Sequence, residues 1–321
     1  MKSLEPIALD RIYAAQKRIA GAALRTPLVR LNLDDAPAEI WLKLENLQPV
    51  GSFKLRGALN AMLAAEQSDF AKGAWTVSAG NMAQAVAWCA RRLNVKCTAI
   101  VPDDAPANKV QAITRLGGEI VPVPFADYQQ IQISHSFPGM NGALVHPFAD
   151  PAVMAGNGTI ALEILQELPD VDAIVVPYGG GGLSCGIASA VQALAPRVKV
   201  YASEVETGAP LSPSMAAGKP VQVEFRHSFV SGIGAPFVFP EMWSLASRLL
   251  DGSMVTTLSQ VASAIKLAAE RNHVIAEGAA GTAIAAALTG QAGRGKVACV
   301  VSGGNLNCEQ LAQILQGQIP Y

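Results

Sequence analysis

Short apolar or β-branched runs alternate with longer amphipathic stretches along most of the chain, the pattern of an α/β fold with a largely parallel sheet. The runs that read as strands are residues 40–45, 75–78, 97–102, 119–122, 173–177, 198–203 and 296–302, each flanked by polar residues, Gly or Pro. Between them, apolar positions at helical spacing predict helices over 53–66, 82–93, 107–116, 158–167, 186–194 and 260–271. No repeat, low-complexity tract or long linker interrupts the alternation. Residues 208–240 keep neither period, and their Pro, Gly, Ser and aromatic content predicts a long loop over a site.

Composition narrows the class. With 321 residues the chain can bury a large core and is long for one domain. Charged residues are 15% and the formal net charge is −1, so nothing electrostatic recruits nucleic acid or an anionic membrane. The amino terminus carries charge every few residues and lacks an apolar core of signal-peptide length, and no later run is long enough to span a bilayer. A cytoplasmic protein with a small-molecule substrate is the expectation. Cys89, Cys97, Cys185, Cys299 and Cys308 are scattered and odd in number, which argues for buried free thiols rather than a zinc site or a disulfide framework.

Four segments carry candidate chemistry. In Gly51-Ser52-Phe53-Lys54-Leu55-Arg56-Gly57 a lysine opens a predicted helix directly after a turn. Ser52 is placed to cap that helix, and the helix terminus with Arg56 nearby would disfavour a protonated amine, the condition for imine chemistry with an aldehyde. An ordinary surface lysine in a first turn fits the same residues. Gly179-Gly180-Gly181-Gly182-Leu183 follows a predicted strand and precedes a helix, so bare backbone N–H groups can hold a phosphate dianion there. A tight structural turn would use the same glycines. The spacing is neither GxGxxG nor GxxxxGK[ST], which sets aside dinucleotide and nucleoside-triphosphate loops. Ser78-Ala79-Gly80-Asn81-Met82 and Ser302-Gly303-Gly304-Asn305 also lie at strand carboxyl ends, where α/β sheets bind ligands. The first could hold a substrate carboxylate on its amides, with Asn81 donating to a ring oxygen, and Ser302 could bond a ring nitrogen.

In order along the chain, K-x-E-x-x-Q-x-x-G-S-F-K-x-R-G-A, S-A-G-N-x-A-Q, H-P-F-x-D-P-x-V-x-A-G-x-G-T, G-G-G-G-L and S-G-G-N closely resemble the threonine dehydratase and serine racemase family of fold type II pyridoxal-phosphate enzymes. The resemblance implies a two-domain, tryptophan synthase β-like fold, each domain a mostly parallel sheet flanked by helices. Residues 1–73 and 147–321 would form the large cofactor-binding domain and 74–146 the small one. It implies a homodimer, and pyridoxal 5'-phosphate held on Lys54 as a Schiff base. Lys54 would also move the α-proton, with Phe53 beside the ring, the phosphate on Gly179, Gly180, Gly181, Gly182 and Leu183, Asn81 on the ring hydroxyl, Ser302 on the ring nitrogen and Glu277 near the cofactor. The implied reaction removes water from a β-hydroxy amino acid, giving a 2-oxo acid and ammonia. A racemase, a β-replacement enzyme or a non-catalytic binding protein of the same fold is the alternative.

Departures from the family pattern refine that picture. Ala79 stands where serine racemases carry an acid/base serine, which favours elimination. Met82 stands where histidine is usual, and Tyr178 where a small residue is usual. Both are expected on the substrate pocket with Ser78, Ala79, Gly80, Asn81 and Gly232, and they suit an apolar or aromatic side chain. Ser231 replaces a common aspartate. Glu204 is followed at the spacing of a family cation ligand by Pro210, so no metal is expected. His146 and Asn157 read as packing residues.

Overall fold

A computed structural model describes residues 4–320. Its strands are β1 (Leu28–Arg30), β2 (Glu39–Lys43), β3 (Ala74–Val77), β4 (Cys97–Pro102), β5 (Gly118–Val123), β6 (Ala143–Leu144), β7 (Ala173–Pro177), β8 (Lys199–Val205), β9 (Gly252–Thr256) and β10 (Lys296–Val300). The first six helices are α1 (Leu9–Ile19), α2 (Lys54–Ala64), α3 (Asn81–Leu93), α4 (Ala107–Arg115), α5 (Phe125–Ser134) and α6 (Pro151–Glu167). The rest are α7 (Gly182–Leu194), α8 (Leu211–Ala217), α9 (Pro240–Leu249), α10 (Leu258–Asn272), α11 (Gly278–Leu288) and α12 (Cys308–Leu315). Among the described residues no helix is long and apolar enough to cross a membrane.

Two sheets carry the fold, one in the order β1-β2-β10-β7-β8-β9 and one in the order β5-β4-β3-β6. Every pairing is parallel except β1 with β2, which confirms the expected α/β class. All strands of the second sheet come from residues 74–144. Burial explains why the strands read as continuous apolar runs. Along β7, Ile174 and Val176 pack with α6, α7 and α9, while Ala173 and Val175 pack with α10 and α11, so both faces are dry. The smaller sheet repeats the pattern, with Ala74 and Ala99 against α2 and α3, and Trp75, Val77 and Ile100 against α5.

Two helices, α6 and α7, begin a full turn or more earlier than the pattern predicts, and glycines are the reason. α6 starts at Pro151, where the Asp150 carboxylate accepts from the amides of Ala152 (2.6 Å) and Val153 (3.3 Å). Gly156, Gly158 and Gly186 punctuate the sequence like breakers but sit inside α6 and α7. A Cβ on Gly156 would lie 2.3 Å from the Arg56 carbonyl oxygen, and one on Gly186 would lie 2.4 Å from that of Met154. These positions let α2, α6 and α7 cross with backbones in contact. The expected loop at 208–240 contains α8 but is otherwise irregular up to Pro240. Cys89, Cys97, Cys185 and Cys299 are buried free thiols as expected, whereas Cys308 is exposed at the start of α12.

Candidate active site

Loops from the carboxyl ends of β3, β7 and β10 and the start of α2 meet around a cavity of about 360 Å³. An isolated bridge between Ser52 and Gly303, with the Phe53 amide donating to the Ser302 carbonyl at 2.9 Å, fixes the start of α2 beside the end of β10. Phe53, Lys54, Asn81, Glu277 and Ser302 all line the cavity. So do Gly179, Gly180, Gly181, Gly182 and Leu183. Ser78, Ala79, Gly80, Met82 and Gly232 complete the expected set. Tyr178 does not. It is 2% exposed within the core behind the glycine turn, close to Gly181, with a hydroxyl that has no partner among the described residues. It lies one residue beyond Pro177, which does line the cavity, and strand alternation turns it away.

Lys54 is the first residue of α2, and its Nζ donates to the Pro147 carbonyl at 2.5 Å and lies 5.1 Å from the centre of the Phe53 ring. Burial lowers its pKa to about 8, opposed by the Glu277 carboxylate. The cause differs from the one the sequence points to. Arg56 spends its guanidinium on Glu45 (2.7 and 2.8 Å) and Glu163 (2.6 and 2.8 Å), with further bonds to Thr159 and the Leu24 carbonyl. It does not perturb the lysine. Ser52 does not cap α2 either; the residue before the helix is Phe53, and the buried Ser52 hydroxyl has no partner among the described residues.

Glu277 is 7% exposed and accepts from Asn81 Nδ2 at 2.7 Å, while Asn81 Oδ1 accepts from Asn305 Nδ2 at 2.8 Å. Burial raises the Glu277 pKa to about 7 against Asn81, Lys109, the Asn305 amide and Lys54. Gly303 permits this approach, since a Cβ there would lie 2.5 Å from Oε1. Lys109 on α4 lines the cavity and is a group that the sequence reading missed; burial lowers its pKa, against Glu277. One linkage prediction follows. Folded Glu277 keeps its proton to about pH 7, whereas its ordinary value is 4.5, so this group makes cofactor-free protein less stable as pH rises from about 4.5 through 7. Glu277→Gln is expected to flatten that loss, seen as wild-type and variant melting temperatures that diverge from pH 5 to 7.5. Parallel curves would refute it.

The glycine turn fits a phosphate. Gly181 has φ +87°, and the first-turn amides of α7 (Gly182, Leu183, Ser184) have no backbone acceptor, Cys185 being the first to bond back. Asn157 Nδ2 holds the Gly182 carbonyl at 3.2 Å from below, a packing role. At Ser78–Met82 the amides are partly used, because Gly80 N–H donates to Ser78 Oγ at 3.1 Å. Those of Asn81, Met82 and Ala83, at the start of α3, stay open.

Two other acidic or histidine clusters are committed elsewhere. Glu204 accepts from the amides of Leu211 (2.9 Å) and Ser212 (2.8 Å) and from Ser253 Oγ (2.6 Å), tying α8 to β9. His135, His146 and Glu241 bring ligand-type atoms within 4.8 Å of one another. His146 is 2% exposed, with Nδ1 accepting from the Ala149 amide (2.9 Å) and Nε2 facing the Gln132 carbonyl (3.1 Å), so both ring nitrogens are engaged.

Comparison with known proteins identifies relatives of the whole chain. The chain is 34% identical over 313 residues to the L-threonine ammonia-lyase of Thermotoga maritima, covering 96% of this chain and 78% of that one. It is 32% identical over 316 residues to the catabolic L-threonine dehydratase of Escherichia coli K12, covering 96% of each. Among solved structures, maize serine racemase superposes with a TM-score of 0.87 at 30% identity, covering 97% of this chain and 98% of that one. Residues 19–303 match the family described as pyridoxal-phosphate dependent enzymes, and with Lys54 and the Gly179–Gly182 turn lining one cavity, the chain belongs to that family.

Proposed function

We propose that the protein is a deaminating dehydratase that converts a β-hydroxy amino acid to a 2-oxo acid and ammonia. The observation that carries this reading is Lys54, an amine held at a pKa of about 8 in a cavity whose lining has alanine, not a hydroxyl, at position 79. Pyridoxal phosphate, when bound, supplies the electron sink for a negative charge at the substrate Cα. Lys54 is the residue to carry it and to move the Cα proton. The Gly179–Gly182 turn and the first turn of α7 would hold its phosphate, and Asn81, Glu277 and Ser302, which line the same cavity, would contact the rest of it. The identities to threonine ammonia-lyase and threonine dehydratase support elimination. The likeness to serine racemase supports racemisation as the second reading, which Ala79 disfavours.

The side chain of the substrate is the part that this cavity treats differently. Phe125 on α5 and Phe225, Phe237 and Phe239 from the irregular segment line it, a wall of rings better matched to an apolar or aromatic substituent than to a methyl group. The Met82 wall agrees with this, whereas Tyr178 lies elsewhere. Oxo-acid formation from L-threonine, L-serine and L-threo-phenylserine is the test, with phenylserine expected at least about tenfold ahead in kcat/KM, the worth of a few buried apolar groups. Threonine ahead of phenylserine would refute the side-chain reading; a D-amino acid as main product would refute the dehydratase. The reading includes two domains divided near residues 74 and 147, supported by the separate sheets, and a cytoplasmic homodimer. The net charge of −1 supports a small-molecule partner over nucleic acid.

A further inference from the structure

Tyr128 belongs to none of the sequence motifs, yet it lines the cavity from α5. Its ring stacks with Phe125 at 6.3 Å between centres. Its oxygen is the meeting point of two donors: Gln132 Nε2, one turn later, donates to Oη at 3.2 Å, and the Ala79 amide donates to it from the Ser78–Met82 loop. Burial pushes the phenol above its ordinary range, so it keeps its proton at any working pH. That proton has no acceptor among the described residues. Tyr128 is half-buried on the cavity wall, so this hydrogen is open to an acceptor on a bound ligand. The same loop presents the open amides of Asn81, Met82 and Ala83 at the first turn of α3, so what the place lacks is acceptors.

A carboxylate is the group that offers several strong acceptors and no donor. We propose that the Tyr128 hydroxyl donates to the α-carboxylate of the bound amino acid, sharing it with the first-turn amides of α3. This rests on the reading of the substrate as an amino acid but not on elimination. Tyr128 is therefore a recognition residue: it ties the Ala79 turn in place through its oxygen and engages the substrate through its hydrogen.

The test uses cofactor-loaded enzyme and the change in its visible spectrum on titration with glycine and with methylamine, the same amine without the carboxylate. Glycine has no leaving group, so failure of the dehydratase reading leaves this measurement intact. Tyr128→Phe is expected to weaken glycine about ten- to hundredfold, the range for a hydrogen bond to a charged group, and to leave methylamine unchanged. Equal weakening of both amines would make the hydroxyl merely structural and overturn the proposal, as would unchanged or tighter glycine binding. Weakened L-serine with unaffected glycine would assign the hydroxyl to the β-substituent instead and equally overturn it. Melting curves of the two proteins accompany the titration. A variant that melts well below the wild type and loses both amines counts with the structural outcome.

Discussion

A Lys54→Ala protein is expected to form no 2-oxo acid from any β-hydroxy amino acid, a loss of about 10⁴-fold or more, the scale of removing a positioned acid/base group. It should also lose the visible absorption of lysine-bound cofactor. The case rests on how the amine is prepared. At a pKa of about 8, roughly a tenth of Lys54 is unprotonated at pH 7, against a fraction of a thousandth for an ordinary lysine. Its bond to the Pro147 carbonyl aims Nζ without consuming the lone pair, since the nitrogen is the donor. Borohydride reduction of the loaded enzyme followed by peptide mass analysis should therefore label Lys54 alone. Lys109 is the other lysine lining the cavity among the described residues, and a label there would refute the assignment.

The largest stability effect is expected at Arg56. Arg56→Leu strips the partner from Glu45 and Glu163, both buried, and leaves the two carboxylates, among the described residues, with Lys43, Thr26 and Gln48 as donors. Breaking a buried pair from one side costs about 3–5 kcal/mol because the remaining charge is uncompensated. Urea unfolding of the cofactor-free variant should show a midpoint lowered to match. A loss under about 1 kcal/mol would mean that the network relaxes or that water enters it. Lys43 reaches Glu163 at 2.7 Å and the Thr26 carbonyl at 2.6 Å, so β2, α2 and α6 share one charge cluster, α2 being the helix that Lys54 opens. Cofactor loading should weaken along with stability.

Much of the site was legible because its parts sit where local chemistry announces them. Lys54, the four glycines, Ser78–Met82 and Ser302 each follow a strand and open or precede a helix, and that placement is written in adjacent residues. Tyr128 and Lys109 were not legible. They lie on α4 and α5, where a polar residue on a helix face carries no mark of what it meets, and only the packing of those helices over the Ser78–Met82 loop brings them to the cavity. Arg56 was misread for the same reason: its partners Glu45 and Glu163 are 11 and 107 positions away. The strands β1, β6 and β9 escaped notice because runs of three, two and five residues, the last opening on Gly, are too short or too polar to stand out.

The run Gly179–Gly182 has a consequence for how such a sequence can drift. Its four positions are restricted or strained for other residues, and most of the reasons lie on the protein side of the loop. A Cβ on Gly180 would meet the Phe148 ring at 2.3 Å, one on Gly182 the Phe148 backbone at 2.7 Å, and one on Gly179 the Gly232 carbonyl at 3.0 Å, while Gly181 is held at φ +87°. Only Gly180 answers to a side chain that can itself mutate, since Gly182 and Gly179 meet main chain that any residue at 148 or 232 would carry. Most of the motif is then held in place by the course of the neighbouring backbone, and would persist in a lineage that had ceased to bind phosphate for as long as that back wall kept its path.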